Sequence, residues 1–173
     1  LPTPHLPTPD PSTARDLLRN ALAERLAAGR RALSLIVKQV DTVDIAVAAH
    51  SCGYDAINVD LEHSVISERA AAQICITALN LGITPLVRVP SHAAHYANRL
   101  LDAGALGIVA PHVNSAEEAR AIVRACKFAP LAERSVAGNW PPLHFPAFPA
   151  DGGLGLNVTV PFKEQAFAWG DSL

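Results

Sequence analysis

The sequence predicts an α/β protein: part of a (β/α)8 TIM barrel, about four βα units, with a C-terminal tail that looks foreign to it. Three observations lead there. Between residues 32 and 126, four short apolar runs alternate with longer segments of helical spacing. The runs are apolar throughout rather than alternating, as expected of a parallel sheet covered on both faces. The chain has 173 residues, whereas a closed barrel takes roughly 250. Repeated right-handed βα units also build doubly wound sheets, but no G-x-G-x-x-G follows any run, which weakens the dinucleotide-binding version.

Each element has its own signal. Residues 1–11, L-P-T-P-H-L-P-T-P-D-P, are a proline-rich leader that can neither pair as a strand nor continue a helix. From Ser12, Leu17, Leu18, Ala21, Leu22 and Leu26 recur at helical spacing, and Gly29 stops the run. A-L-S-L-I-V (32–37) is the first strand, and 42–53 a helix ending at Gly53. A-I-N-V-D-L (56–61) is the second strand, followed by a helix from Ser67 to Leu81 with Gly82 just after it. T-P-L-V-R-V (84–89) is the third, leading to a helix over 93–104. G-I-V-A-P (107–111) is the fourth, with a helix over 115–126 opened by a Ser115/Glu118 capping box. The partial-barrel unit is 12–149, and the tail is 150–173.

Composition narrows the class. Half the residues are hydrophobic and 17% are charged, as in a globular protein. A net charge of −2 without a basic run gives no sign of a nucleic-acid partner. No apolar stretch reaches membrane-spanning length, and no signal-like segment opens the chain. Cys52, Cys75 and Cys126 are expected to be buried free thiols in a reducing compartment, which makes the cytoplasm the expected address.

In a (β/α)8 barrel, chemistry sits at the C-terminal ends of strands. Polar groups fall at all four ends: Lys38 and Gln39; Asp60, Glu62 and His63; Arg88 and Ser91; His112 and Asn114. A His held by a carboxylate suits general base work, and an Arg facing it can steady an oxyanion or bind a carboxylate. Alternation along a strand puts Asp60 and Glu62 on opposite faces, so Asp60 and His63 are expected to share a side.

V-D-L-E-H-S, P-L-V-R-V-P, L-D-A-G-A-L-G-I-V-A-P-H-V-N-S-A-E-E-A-R and K-F-A-P-L-A-E-R-S-V resemble the HpcH/HpaI family of metal-dependent 2-oxo-acid aldolases, over about residues 17–148. The resemblance implies a carbon–carbon lyase of the class II pyruvate aldolase type, cleaving 4-hydroxy-2-oxo acids to pyruvate and an aldehyde. It makes His63 the base, oriented by Asp60, with Glu62 behind them. Arg88 would bind the pyruvyl oxygens, with Ser91 and His112 also on the substrate, and R-S-V-A-G-N (134–139) would follow the arginine-bearing loop near the mouth. The family's divalent Mg or Mn is held by a Glu in an I-E-T-like strand and an Asp in a G-P-x-D-like strand. Neither motif occurs here, so no metal ligand is assigned and impaired activity is expected. A homo-oligomer is the expected assembly.

The tail carries a second likeness. G-L-N-V-T-V-P-F-K-E, within about 153–170, is similar to the substrate-binding segment of shikimate dehydrogenases. That likeness implies substrate contacts from Asn157 and Thr159 and proton transfer by Lys163. Together the two resemblances suggest a junction near residues 150–153. They leave two alternatives to the lyase: a non-catalytic half-barrel that self-associates through exposed strand edges, and a fragment related to shikimate dehydrogenase.

Overall fold

The computed structural model describes residues 20–128 together with Ala132 and Arg134. The proline-rich leader and the tail residues Asn157, Thr159 and Lys163 lie outside the described residues. The elements run α1 (Ala21–Ala27), β1 (Ser34–Val37), α2 (Asp44–Ser51), β2 (Ala56–Asp60), α3 (Glu68–Asn80), β3 (Thr84–Arg88), α4 (Ala94–Asp102), β4 (Gly107–Val109) and α5 (Ala116–Cys126). The strands pair in parallel in the order β1-β2-β3-β4. Consecutive order has no reversal point, so the sheet is wound in one direction, as in part of a barrel, and the doubly wound alternative falls away.

Two mechanisms set the helix ends. Ser67 and Ser115 stand at extended N-caps and accept the N–H groups of Ala70 (3.2 Å) and Glu118 (3.1 Å). Ser and Thr are favoured there because the hydroxyl satisfies a donor that the first turn leaves open. The capping box is modified, however. The Glu118 carboxylate accepts the Asn114 N–H at 2.7 Å, one residue before the cap. At the far end, Gly82 closes α3 with a φ of 75°, in the left-handed region that glycine enters without a Cβ penalty.

Register fixes which side chains share a face. Val37, Val59, Val87 and Ile108 lie in one row across the four strands. That row, with Ile57, packs against Ala46 and Ala49 of α2, Ala71, Ile74, Cys75 and Ala78 of α3, and Leu100 and Leu101 of α4. The many alanines let the helices approach the sheet closely, and the large buried residues are Ile57, Ile74 and Leu100. Burying each such side chain contributes roughly 1.5–3 kcal/mol. The adjacent row, Ile36, Asn58, Leu86 and Gly107, turns to the face away from the helices. Two residues further along that face come Asp60, Arg88 and, at the edge, Val109.

α1 seals the N-terminal end of the sheet. Thr84, fully buried at the start of β3, accepts the Leu22 N–H (3.0 Å) and its hydroxyl donates to Asn20 (3.1 Å). Arg25 pairs with Asp55 at 2.5 Å, and Asp55 also takes the Leu33 N–H at 2.9 Å.

The cysteines differ from expectation. All three are free, but only Cys75 is buried, Cys126 is partly so and Cys52 is exposed at the end of α2. Burial pushes the Cys75 thiol up to about 12, so it behaves as an apolar core residue.

The sheet–helix layer can be tested at Ile74, which is fully buried. Ile74→Ala should cost roughly 2–5 kcal/mol, lowering the urea midpoint with an unchanged m-value. A cost well under 1 kcal/mol would mean that α3 does not pack on the sheet in this way.

Candidate active site

Asp60 and Arg88 are direct neighbours in the β2–β3 register. Paired residues of parallel strands point to the same face, so the carboxylate and guanidinium meet at the last position of both strands. Arg88 Nε donates to Asp60 Oδ1 at 2.9 Å and Nη2 to Oδ2 at 2.5 Å, a two-pronged pair. Asp60 Oδ1 also accepts the backbone N–H groups of Glu62 (3.0 Å) and His63 (3.2 Å). Lys38 Nζ, just past β1, stands 3.6 Å from Oδ2. The Ser64 hydroxyl donates to the Asp60 carbonyl oxygen, which completes the bend.

That bend brings Glu62 and Asp60 together, against the expectation of opposite faces. β2 ends at Asp60, and the Glu62 and His63 N–H groups then turn back onto its carboxylate, so strand alternation no longer applies. Glu62 Oε2 reaches Arg88 Nη1 at 3.2 Å. Its other oxygen, Oε1, faces His112 Nε2 at 2.8 Å and His63 Nε2 at 3.5 Å. The expected side-chain pairing of Asp60 with His63 is therefore corrected. Asp60 takes the His63 backbone N–H, and the imidazole lies against Glu62. Glu62, expected to stand behind the other groups, is the hub that touches Arg88 and both histidines.

The electrostatics follow from these contacts. Arg88 beside Asp60 holds that carboxyl well below the usual carboxylate range, with the two backbone N–H donors adding to the effect against the cost of burial. In return, Asp60 raises the already high pKa of Arg88. Asp60 therefore stays ionised at any working pH, and all its lone-pair directions are engaged. It is an anchor and a poor base. Arginine has five N–H donors. Two of them donate to Asp60 and Nη1 is ion-paired with Glu62, which leaves N–H groups on Nη1 and Nη2 for a ligand. The Arg88 side chain is 27% exposed, while those of His63 and His112 are 60% and 78% exposed. The anchored pair is thus covered and the imidazoles are open to solvent.

The remaining sequence-predicted residues scatter. Ser91 is exposed in the loop after Arg88, where its hydroxyl accepts the Ala93 N–H at 3.4 Å. Arg134 is not at the mouth. It pairs with Asp102 at 2.5 Å and lies over the Phe128 ring. Asp102 is the last residue of α4, at the opposite end of the sheet from Arg88. Lys38 and His92 were not assigned roles from sequence. His92 Nε2 contacts the Pro111 carbonyl oxygen. Lys38 could have been found by extending the β1–β2 register by one residue, which sets it beside Asp60.

A divalent cation does not fit the donors among the described residues. Among the described residues, no group of three or more His, Cys, Asp or Glu is arranged to hold a metal ion. The two carboxylates at the strand ends are already matched by Arg88 and Lys38, and a guanidinium at their centre would repel Mg²⁺ or Mn²⁺.

Residues 35–145 match the HpcH/HpaI aldolase/citrate lyase family. The 4-hydroxy-4-methyl-2-oxoglutarate aldolase of Chaetomium globosum is 41% identical over 125 residues, covering 72% of this chain and 46% of that protein. The hydroxypyruvate/pyruvate aldolase of Sagittula stellata is 35% identical over 123 residues, covering 71% of this chain and 48% of its own. Among solved structures, an HpcH/HpaI aldolase from Desulfitobacterium hafniense superposes with a TM-score of 0.67 at 35% identity, over 72% of this chain and 48% of that one. The chain spans about half the length of the curated relatives it matches. The shikimate-dehydrogenase-like segment lies beyond the matched residues, and these relatives give it no support.

Two measurements check this site. The low folded-state pKa of Asp60 means its stabilisation is complete above the unfolded carboxylate value, about 3.9. It is lost progressively as pH falls below that value towards the folded one. Thermal melts should therefore show a steep acid limb below about pH 4, and Asp60→Asn should flatten it and lower Tm at pH 7. An Asp60→Asn acid limb like that of the wild type would remove Asp60 from its anchoring role. Separately, 1 mM Mn²⁺ should leave Tm within about 1 °C, since only a ligand bound by the folded state stabilises it. A larger rise would show that a cation site does form.

Proposed function

The chain belongs to the HpcH/HpaI aldolase/citrate lyase family, and we propose that its strand-end cluster is the substrate side of a carbon–carbon lyase acting on 4-hydroxy-2-oxo acids, releasing pyruvate and an aldehyde. The observation that carries this reading is Arg88, pinned by Asp60 and Glu62 with N–H donors left over on Nη1 and Nη2. Those donors suit the oxygens of a 2-oxo carboxylate and the charge that gathers on the 2-oxo oxygen as the C3–C4 bond breaks. Asp60 and Glu62 prevent the guanidinium from turning away, so its orientation is set before substrate arrives. His63, the base in this reading, removes the 4-hydroxyl proton. Its Nε2 faces Glu62, which leaves Nδ1 as the open nitrogen. The family's divalent cation, were it bound, would polarise the 2-oxo oxygen. Among the described residues no group of three or more His, Cys, Asp or Glu is arranged to hold it, and weak activity is part of this proposal.

A second reading is favoured by the open face of the sheet. Among the described residues, β1 and β4 each have one unpaired edge. Beside them Ile36 is 60% exposed and Val109 36%. A homo-oligomer would cover both. Light scattering at micromolar concentration should give more than the monomer mass of 18.2 kDa, and a strictly monomeric chain removes this reading.

Oxalate, a mimic of the pyruvate enolate, should bind the wild-type chain in calorimetry, and Arg88→Lys should weaken it about 10–100-fold through loss of the planar fork. Pyruvate release should be seen from a 4-hydroxy-2-oxo acid and not from the analogue reduced at C2. No release from the oxo acid would overturn the lyase reading, and unchanged oxalate affinity in the variant would remove Arg88 from it.

A further inference from the structure

We infer that His112 is a second catalytic imidazole, which protonates C3 of the pyruvate enolate while His63 handles the 4-hydroxyl. The inference rests on the lyase reading above and adds a residue and a division of labour to it.

The position is built, and its construction is costly. His112 is the one non-glycine residue with positive φ among the described residues, at 50°. A side chain is strained there and persists only when its surroundings over-determine it. Two separate groups supply that grip. His92, from the loop after β3, contacts the carbonyl oxygen of Pro111, immediately before His112. Asn114 Nδ2 donates to the carbonyl oxygen of His112 itself at 2.8 Å. Asn114 is in turn fixed through its N–H to Glu118, whose own N–H is capped by Ser115. The start of α5 thus anchors the turn. The result is the shorter of the two imidazole contacts to Glu62, 2.8 Å against 3.5 Å for His63. A surface histidine with no task would not require a strained backbone held from both sides.

The chemistry needs two proton events at two atoms. In the cleavage, the 4-hydroxyl proton goes to His63 and the C4–O bond becomes a carbonyl. The C3–C4 bonding pair moves into the C2–C3 enolate, whose oxygen lies at Arg88. A proton from His112 Nδ1 then goes to C3 and completes pyruvate. His63 has gained one proton and His112 has lost one, so the cycle closes when a proton crosses back. That proton crosses back through the solvent to which both rings are open, while Glu62 Oε1, which both rings face, holds them side by side. Glu62 is then a positioning residue for both histidines.

The test separates the two events. Exchange of the pyruvate methyl protons in D₂O requires proton transfer at C3 only, whereas pyruvate release from a 4-hydroxy-2-oxo acid requires both steps. His112→Gly is the variant of choice, because glycine accepts a φ of 50° without strain and the fold should keep its wild-type Tm. It should lower methyl exchange by about 100-fold or more, with KM for pyruvate nearly unchanged, and free imidazole should restore part of the rate. His63→Asn should lose pyruvate release and keep methyl exchange. If the wild type catalyses neither reaction, the lyase reading falls and this inference falls with it. If the wild type is active and His112→Gly exchanges normally, or is slowed with no rescue by imidazole, only the assignment of His112 is overturned.

Discussion

The cluster depends on a carboxylate and a guanidinium being placed side by side at the ends of adjacent parallel strands. Asp60 is 1% exposed, and a charge so buried persists only where donors surround it. Arg88, Lys38 and two backbone N–H groups provide them. The consequences spread outward. The two backbone donors bend the chain after β2, the bend turns Glu62 inward, and Glu62 collects Arg88 and both histidines. Without Asp60 the segment would have no reason to leave its strand geometry, and Glu62 would point to the other face.

This arrangement separates two jobs that the same residue types could otherwise share. Asp60 is saturated with donors and held ionised, so it fixes geometry and does no proton chemistry. Glu62 has one oxygen on the guanidinium and the other on imidazoles, so it connects the charged anchor to the two exposed histidines. Two carboxylates two residues apart therefore differ in role because their partners differ. With Asp60 and Glu62 balanced by Arg88 and Lys38, the four fixed charges cancel, and the spare N–H groups of Arg88 are the donors left facing outward.

Much of this fold was legible in the sequence, because its signals are local. Apolar runs, serine caps and stop glycines placed all four strands and the helices between them, with ends that moved by one or two residues. Polar groups at the strand ends pointed to the Asp60–Arg88 cluster for the same reason. The Glu62 contacts were not legible. They depend on where β2 stops, and strand alternation says nothing once the strand has ended. Arg134 shows a different limit. A motif places it in the chain, but its partner Asp102 is 32 residues away, and only the packed helix end shows that it lies at the opposite end of the sheet. Cys52 was expected inside because its neighbours are small and apolar, yet α2 buries Ala46 and Ala49 and leaves its C-terminal turn to solvent.

The charge balance also bears on how such a half-barrel relates to the longer proteins it resembles. A site that awaited a cation from its own strand ends would carry uncompensated carboxylates, which are costly to bury. Among the described residues, Asp60 and Glu62 at the strand ends already have basic partners, so this end of the sheet is charge-matched without a cation. What a metal would require must come from carboxylates other than Asp60 and Glu62. The open row of Ile36, Asn58, Leu86 and Gly107 makes a related demand on packing. Asn58 Oδ1 is buried without a partner, on the face where further barrel strands or a second copy would lie. A buried amide oxygen left unpaired costs free energy until a donor reaches it. Polar satisfaction at the rim and the want of it in the interior together describe a surface whose chemistry is set and whose closure is not.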